Sequence, residues 1–599
     1  MTADASTRSA RRAAAPPPRR RRTLILGIVV LVLVALVAAA VWVGLRALAA
    51  KDALESAVGE ATQLQQQVLA GDLAGLDTRA QAITRHARDA AASTGDPIWR
   101  AAELVPLVGA NLRAVREVTE IAEDLAVDGV PPLLTAASEV DIDALGLTEG
   151  RVGLAGFAAA EPALADAAGA FSAASERAQA IDTFAALPVV AGAVDEMRGT
   201  LLPAAGAVDA LARAATLLPP MLGAEEPREY LLLMQNNAEV RSSGGIPGAF
   251  AVLRAEDGVI ELVTQASTAD FRRFDDPILP LDAATVALFD DQPGQYVQHA
   301  LQIPDFPTAA PLAAEFWQRT MGDRVDGVIA VDTVVLSHIL DATGSLQAGP
   351  YELTAGNAVG LLLSDVYRDF TAPSQQDAVF EAAATGVFAA VTDGRAASPA
   401  LIEALGEAGT EGRVRVWSAH DGEQRMLAQT TLAGALPEDD EDAVVAAVYF
   451  NDSTGAKMNY YTDAEITAQL ARCEEEATLT VQVRWSSSAP ADAATSLPVY
   501  VTGNGSEAVP TGQTRTRIAV YGPQGWLAAS SSLDGAAAGA QATIDHDRPV
   551  IQYETTLEPG GSTLIEVAFT GPDPGAAEIV ATPLLRDAEI DTTVTGCQP

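Results

Sequence analysis

A chain of 599 residues with 49% apolar side chains exceeds one ordinary domain and can bury a sizeable core, so two or three domains are expected. Charge is unevenly placed: residues 1–22 hold seven arginines and one acid (Asp4), and the remainder holds 31 basic against 78 acidic residues, a net charge of −47. Such a surface repels nucleic acid and anionic headgroups, which excludes nucleic-acid binding and leaves only a local basic pocket for an anion.

Residues 23–45 read TLILGIVVLVLVALVAAAVWVGL, an uncharged run that reaches the roughly 20 residues a transmembrane helix needs. Arg19, Arg20, Arg21 and Arg22 precede it, and Trp42 lies near its far end. Arginine stays on the cytoplasmic side, so the chain reads as a single-pass cell-membrane protein with residues 46–599 extracytoplasmic. A cleaved signal peptide is the rival, given the Ala-x-Ala patterns at Ala38 to Ala40 and Ala47 to Ala49. Residues 1–22 read as a disordered basic cytoplasmic tail. Lysine occurs only as Lys51 and Lys457, and the preference for arginine reflects codon bias before function.

Residues 46–224 read as a helical bundle or stalk. Leu54, Val58, Ala61, Leu64 and Val68 recur at helical spacing, as do Leu112, Val115, Val118, Ala122 and Leu125. Breaks are predicted at Gly71-Asp72, Gly95-Asp96-Pro97, Pro131-Pro132 and Pro219-Pro220. Residues 225–469 mix strands and helices as an α/β or α+β core. Strands are predicted at 228–234, 248–254 and 259–264, the last two joined by Asp257-Gly258, and at 326–331. A helix follows with Asp332 as N-cap and Gly344 as stop, and another runs towards Tyr367. Residues 470–599 alternate with period two, at Leu479, Val481, Val483 and Trp485 among others, and read as an immunoglobulin-like β-sandwich.

Cys473 and Cys597 bracket that last segment. Outside the cytoplasm they can form a disulfide, worth about 4–5 kcal/mol on a chain-entropy argument, or remain two thiols.

The densest polar run is Gln235-Asn236-Asn237-Ala238-Glu239-Val240-Arg241-Ser242-Ser243-Gly244-Gly245. At the end of a predicted strand it reads as a functional loop, with Asn236, Asn237, Glu239 and Arg241 as candidate ligand-binding residues. The bland alternative is a structural turn with Glu239 paired to Arg241. A second cluster is Phe271-Arg272-Arg273-Phe274-Asp275-Asp276: Arg272 and Arg273 suit an anion, and Asp275 and Asp276 a divalent cation such as Mg, or the arginines and aspartates equally pair with each other on a surface. A third is Tyr367-Arg368-Asp369-Phe370, where Arg368 either joins the anion site or neutralises a helix dipole. His86, His299, His338, His420 and His546 show no metal spacing, and His338 reads as a satisfied core residue. No nucleophile elbow or phosphate-cradling loop occurs.

The run LLLMQNNAEVRSSGGIPGAFAVLRAEDGVIEL (231–262) resembles the signature of a family of bacterial membrane-anchored envelope proteins whose domain has no assigned function. Residues 98–113, with Pro106, Gly109 and Asn111, fit that family, as does Lys457-x-x-Tyr460-Tyr461. More distantly the chain resembles the LytR-CpsA-Psr family, which transfers glycopolymers from polyprenyl-diphosphate lipids to the cell wall with arginines and a divalent metal. VDTVVLSHILDATGSL (331–346) with Tyr351 to Thr354, Arg241-Ser242, Arg272-Arg273 and Tyr367-Arg368 carry this likeness. The sequence departs where Ser243 replaces an acidic metal ligand, where Gln375-Gln376 replace arginines, and where Ser345 replaces a glycine. The resemblance implies binding of an envelope glycopolymer or its lipid-linked precursor. The alternatives are phosphoglycosyl transfer, or a non-catalytic scaffold for envelope-assembly proteins. No catalytic residue is assigned.

Overall fold

The computed structural model describes residues 19–69, 75–106, 108–139, 151–392, 398–440, 443–473, 476–505, 509–537 and 539–596. The chain divides into two compact units: residues 1–140 with 159–215, and residues 141–158 with 216–599. The expected disordered tail lies outside the described residues up to 18; the helix already begins at Arg19.

The first unit is helical. Helix α1 (Arg19–Leu69) runs unbroken through the apolar stretch and beyond it, so the segment fits a membrane anchor. Helix α2 (Leu76–Thr94) returns along it, tied by Arg79 to Glu60 at 2.8 Å. The predicted break at Gly71-Asp72 lies outside the described residues, while that at Gly95-Asp96-Pro97 starts α3 (Pro97–Ala102), capped by the Asp96 carboxylate. Helix α4 (Gly109–Asp124) does not stop at Pro131-Pro132. It passes through a π turn (Leu125–Gly129) into α5 (Val130–Glu139), and both prolines fall in that helix's first turn. The π turn, where the Val130 N–H bonds the Leu125 carbonyl, shifts the hydrogen-bond register just before the two prolines and so lets the helix continue past their missing N–H groups. Helices α6 (Leu154–Gln179) and α7 (Pro188–Met221) complete the run. Helix α7 is also long and apolar enough to cross a membrane, but its Val194 and Leu201 are buried with Ala114, Ile121 and Ala174 in the bundle core.

In the second unit, one sheet has the order β3-β2-β1-β4-β7. Strands β1 (Arg228–Arg241), β2 (Gly244–Glu256) and β3 (Val259–Ser267) form a meander; Asp257 and Gly258, both at positive φ, close the predicted hairpin. Helices α8 (Ala283–Phe289), α9 (Gln292–Gln295) and α10 (Phe306–Met321) precede β4 (Gly327–Asp332), which joins β1 in parallel. Phe306, Phe316 and Trp317 of α10 bury against Leu231, Leu233, Phe250 and Val328 of the sheet. Helix α11 (Thr333–Thr343) is capped by Asp332 and stopped by Gly344, as its sequence predicts. The hairpin β5 (Leu346–Ala348) and β6 (Tyr351–Leu353) follows, and β7 (Val414–Ser418) closes the sheet edge.

Two further five-stranded sheets pack over one apolar core. One contains β8 (Ala443–Asp452), β11 (Thr514–Tyr521), β13 (Gln541–Asp545), β14 (Arg548–Leu557) and β16 (Ala576–Ala581). The other contains β9 (Thr462–Cys473), β10 (Glu476–Ser487), β12 (Leu527–Leu533), β15 (Ser562–Pro572) and β17 (Glu589–Gly596). Leu479, Val481, Val483 and Trp485 are all fully buried between them. Strand β8 and most of β9 lie before residue 470, inside the stretch read as α/β core. Strand β8 is buried along its whole length and so lacks the period-two alternation that marks its neighbours.

Candidate functional site

The signature run is not a loop. Residues 235–241 continue β1, and a register shift between Asn236 and Val240 bulges three residues out of the ladder. The hairpin closes on Gly244-Gly245; a Cβ on Gly245 would stand 2.4 Å from the Asn236 backbone, so only glycine fits. Asn237, Glu239, Arg241, Ser242 and Ser243 are all buried.

Each side chain of the run has an internal partner. Asn236 Nδ2 donates to the Tyr367 hydroxyl (2.8 Å), and its Oδ1 accepts from the Ala238 N–H (2.9 Å). Asn237 Nδ2 donates to Asp332 Oδ2 (2.8 Å). Glu239 pairs with Lys457, not with Arg241. The Lys457 ammonium lies 5.0 Å from the Tyr367 ring centre and 4.8 Å from that of Tyr500. Burial alone would lower its pKa, but Glu239 and the two tyrosines hold it well above the ordinary value. Burial pushes the Tyr367 hydroxyl up to about 12. Arg241 donates to the carbonyls of Val240 (2.8 Å), Asp452 (3.2 Å) and Gln298 (3.4 Å). Burial lowers its pKa, and pushes the neighbouring Asp452 carboxyl up to about 6. Ser242 bonds to Gln302 and Asn451. The motif thus welds the α/β sheet to β8 and to the segment before β9.

A second buried network extends from Asp332. Its Oδ1 caps α11 and its Oδ2 accepts from Arg413 (2.7 Å) as well as Asn237. Arg413 also meets Glu411 (2.8 Å) and Asp587.

The open site is elsewhere. Phe271 packs on Phe250 and Phe274 on Phe316, with ring centres 4.6 and 5.8 Å apart. This turns Arg272 and Arg273 outward beside a groove of about 330 Å³ lined by Thr268, Phe271, Tyr296 and Gln298. Arg272 lies over the Phe274 ring (4.7 Å) and Arg273 over Tyr296 (5.4 Å). Among the described residues neither forms an ion pair; Arg273 reaches only the Gln295 amide oxygen at 3.4 Å. Arg241 touches this groove solely through the Gln298 carbonyl behind its wall.

The expected cluster of arginines does not converge. Arg368 pairs with Asp365 and donates to Ser364 (3.0 Å), away from that groove. Asp275 and Asp276 are exposed, and among the described residues no group of three His, Cys, Asp or Glu could hold a metal ion. His338 meets Glu411 at 3.1 Å, and burial lowers His299 to about 3, so its ring is neutral.

Sequence reasoning gave no role to Asp452 or Arg413, whose partners are distant in the chain. Lys457 carried a signal: one of two lysines in an arginine-rich protein, its ammonium sits between two tyrosine faces.

These features define a multidomain protein with an anchor-like apolar helix, a helical region, an α/β core and several C-terminal sheets. Residues 225–367 match the family model of DUF4012, described as a protein of unknown function, so the chain carries that domain from just before β1 to Tyr367. No curated protein and no solved structure matches the chain.

Proposed function

We propose that this is a single-pass membrane protein with its bulk outside the cytoplasm, and that it captures an anionic envelope ligand, a glycopolymer or its polyprenyl-diphosphate precursor, at the Arg272–Arg273 groove. One observation carries this: two guanidinium groups stand on aromatic faces beside an open groove, with no ion pair among the described residues, in a chain of net charge −41. A fork that no carboxylate occupies suits phosphate or uronate oxygens. Binding of a polyprenyl diphosphate by the full-length chain in lipid nanodiscs tests it. Arg272→Ala with Arg273→Ala should weaken binding about tenfold or more, since each charged hydrogen bond contributes about 1.5–3 kcal/mol. Equal binding by the double variant would refute the assignment. Arg241→Ala is the wrong test, because that side chain is buried and holds three carbonyls.

A second reading, a non-catalytic scaffold for envelope-assembly proteins, is favoured by the internal partners of Asn236, Asn237, Glu239 and Arg241.

The exterior location carries its own test. Strand β17 runs parallel to β9 with Gly596 opposite Arg472, and the next residues are Cys597 and Cys473. Cys597 lies outside the described residues, so the disulfide is part of the proposal. Non-reducing peptide mapping of the chain taken from its own envelope should show one cross-linked pair that separates on reduction. Two thiols open to alkylation before reduction would contradict it.

A further inference from the structure

The end of the helical bundle at which α1 leaves its apolar stretch carries an exposed apolar surface of its own. Trp42 Nε1 donates to Asp96 Oδ2 at 3.1 Å, and Arg46 Nε lies 3.5 Å from the same oxygen. The other Asp96 oxygen accepts from the N–H groups of Ile98 (2.8 Å) and Trp99 (3.1 Å). Asp96 therefore fixes the turn between α2 and α3 at the level of Trp42. Trp99 is driven fully into the bundle, where its indole donates to the Leu112 carbonyl (3.0 Å). Its neighbours face the other way: Ile98, Val105 and Val108 are exposed, and Leu104 is 82% exposed.

A second turn stands alongside. The Leu187 N–H donates to Asn111 Oδ1 (2.7 Å), which brings the α6–α7 connection to the start of α4. There Phe184 is 98% and Val189 77% exposed, and Leu187 is exposed as well. Of the charges at this end, Glu103 is held by Arg116 at 2.8 Å, while Arg100 and Asp182 stay exposed, where long or terminal polar groups reach the headgroup layer. Large apolar side chains gathered on two turns mark a surface that something apolar covers.

Taking α1 as a bilayer anchor, as proposed above, we infer that Ile98, Leu104, Val105 and Val108 on one turn and Phe184 and Val189 on the other insert into the adjoining leaflet of the same membrane, so that the bundle is seated on the bilayer. The occupant follows from position: Trp42 and Arg46, at the end of the apolar run, hold these turns at the depth where interfacial aromatics sit. Side chains lodged at the boundary of headgroup and acyl chain need reach only about 5–10 Å.

The test is tryptophan quenching in the full-length chain reconstituted into phosphatidylcholine vesicles brominated on the acyl chains. The chain has six tryptophans, so the emission that Trp42→Phe removes reports the anchor itself. Phe184→Trp and Leu104→Trp should each add blue-shifted emission that bromine quenches. Val58→Trp, exposed on α1 about 18 Å beyond Arg46, should add emission that bromine leaves intact. Quenched Trp42 with unquenched emission from positions 104 and 184 would overturn the seating and leave the anchor standing. Absence of any quenching would overturn both, and quenching at 58 equal to that at 184 would overturn the seating.

Discussion

Lys457→Ala should destabilise the fold by about 3–5 kcal/mol, because it strands the Glu239 carboxylate in a buried site. Both side chains are less than a tenth exposed, at 8% and 9%, so solvent screens the pair little. The ammonium also fills the gap between Tyr367 and Tyr500, and its loss removes two cation–ring contacts. Replacing both charges together, Glu239→Gln with Lys457→Met, should recover most of the loss, since no unpaired charge then remains. Pulse proteolysis of the full-length chain in urea measures each member of the cycle. A loss below about 1 kcal/mol for Lys457→Ala would show that water reaches Glu239. Lys457→Arg should also destabilise, because a planar fork does not occupy the space of a compact ammonium.

Arg413→Met should have an effect of similar size, about 3–5 kcal/mol, for a related reason. Asp332 is fully buried and Arg413 nearly so, at 0% and 2% side-chain exposure. Without the guanidinium, Asp332 keeps only the Asn237 amide at one oxygen and the α11 N–H groups at the other. The Leu584 carbonyl also loses its 2.9 Å donor, which frees the segment leading into β17. Asp332→Asn should cost less: its remaining oxygen still caps α11, the Asn237 amide can turn so that its oxygen accepts from the new amide nitrogen, and Arg413 still has Glu411 and Asp587. The ordering of the two variants in the same urea experiment is the discriminating result; the reverse order would mean that the Asp332 charge, not its hydrogen bonds, holds the helix.

Neither network is visible in the sequence as a network. Glu239 and Lys457 are 218 positions apart, and Asp332 and Arg413 are 81 apart. Local spacing carries no record of such pairings, and in a chain with 79 acidic residues any carboxylate has many nominal partners. The signature run shows the cost of this. Two amides, a carboxylate and an arginine beside a glycine pair suggest a loop that meets a ligand. The same residue types serve equally to satisfy a bulged strand buried between a sheet and a sandwich.

What the sequence alone determined rests on short-range physics. The uncharged run after the arginine collar, the hairpin at Asp257-Gly258, the capped helix from Asp332 to Gly344 and the alternation of Leu479, Val481, Val483 and Trp485 each depend on residues within one turn or one strand. Tertiary structure alone decided the rest. It buried β8 on both faces, erasing the alternation that would have marked it as a sandwich strand. It turned Arg241 inward to three carbonyls while Phe271 and Phe274 held Arg272 and Arg273 outward. Whether an arginine faces water or core depends on which distant surfaces meet around it, and packing, not spacing, sets that.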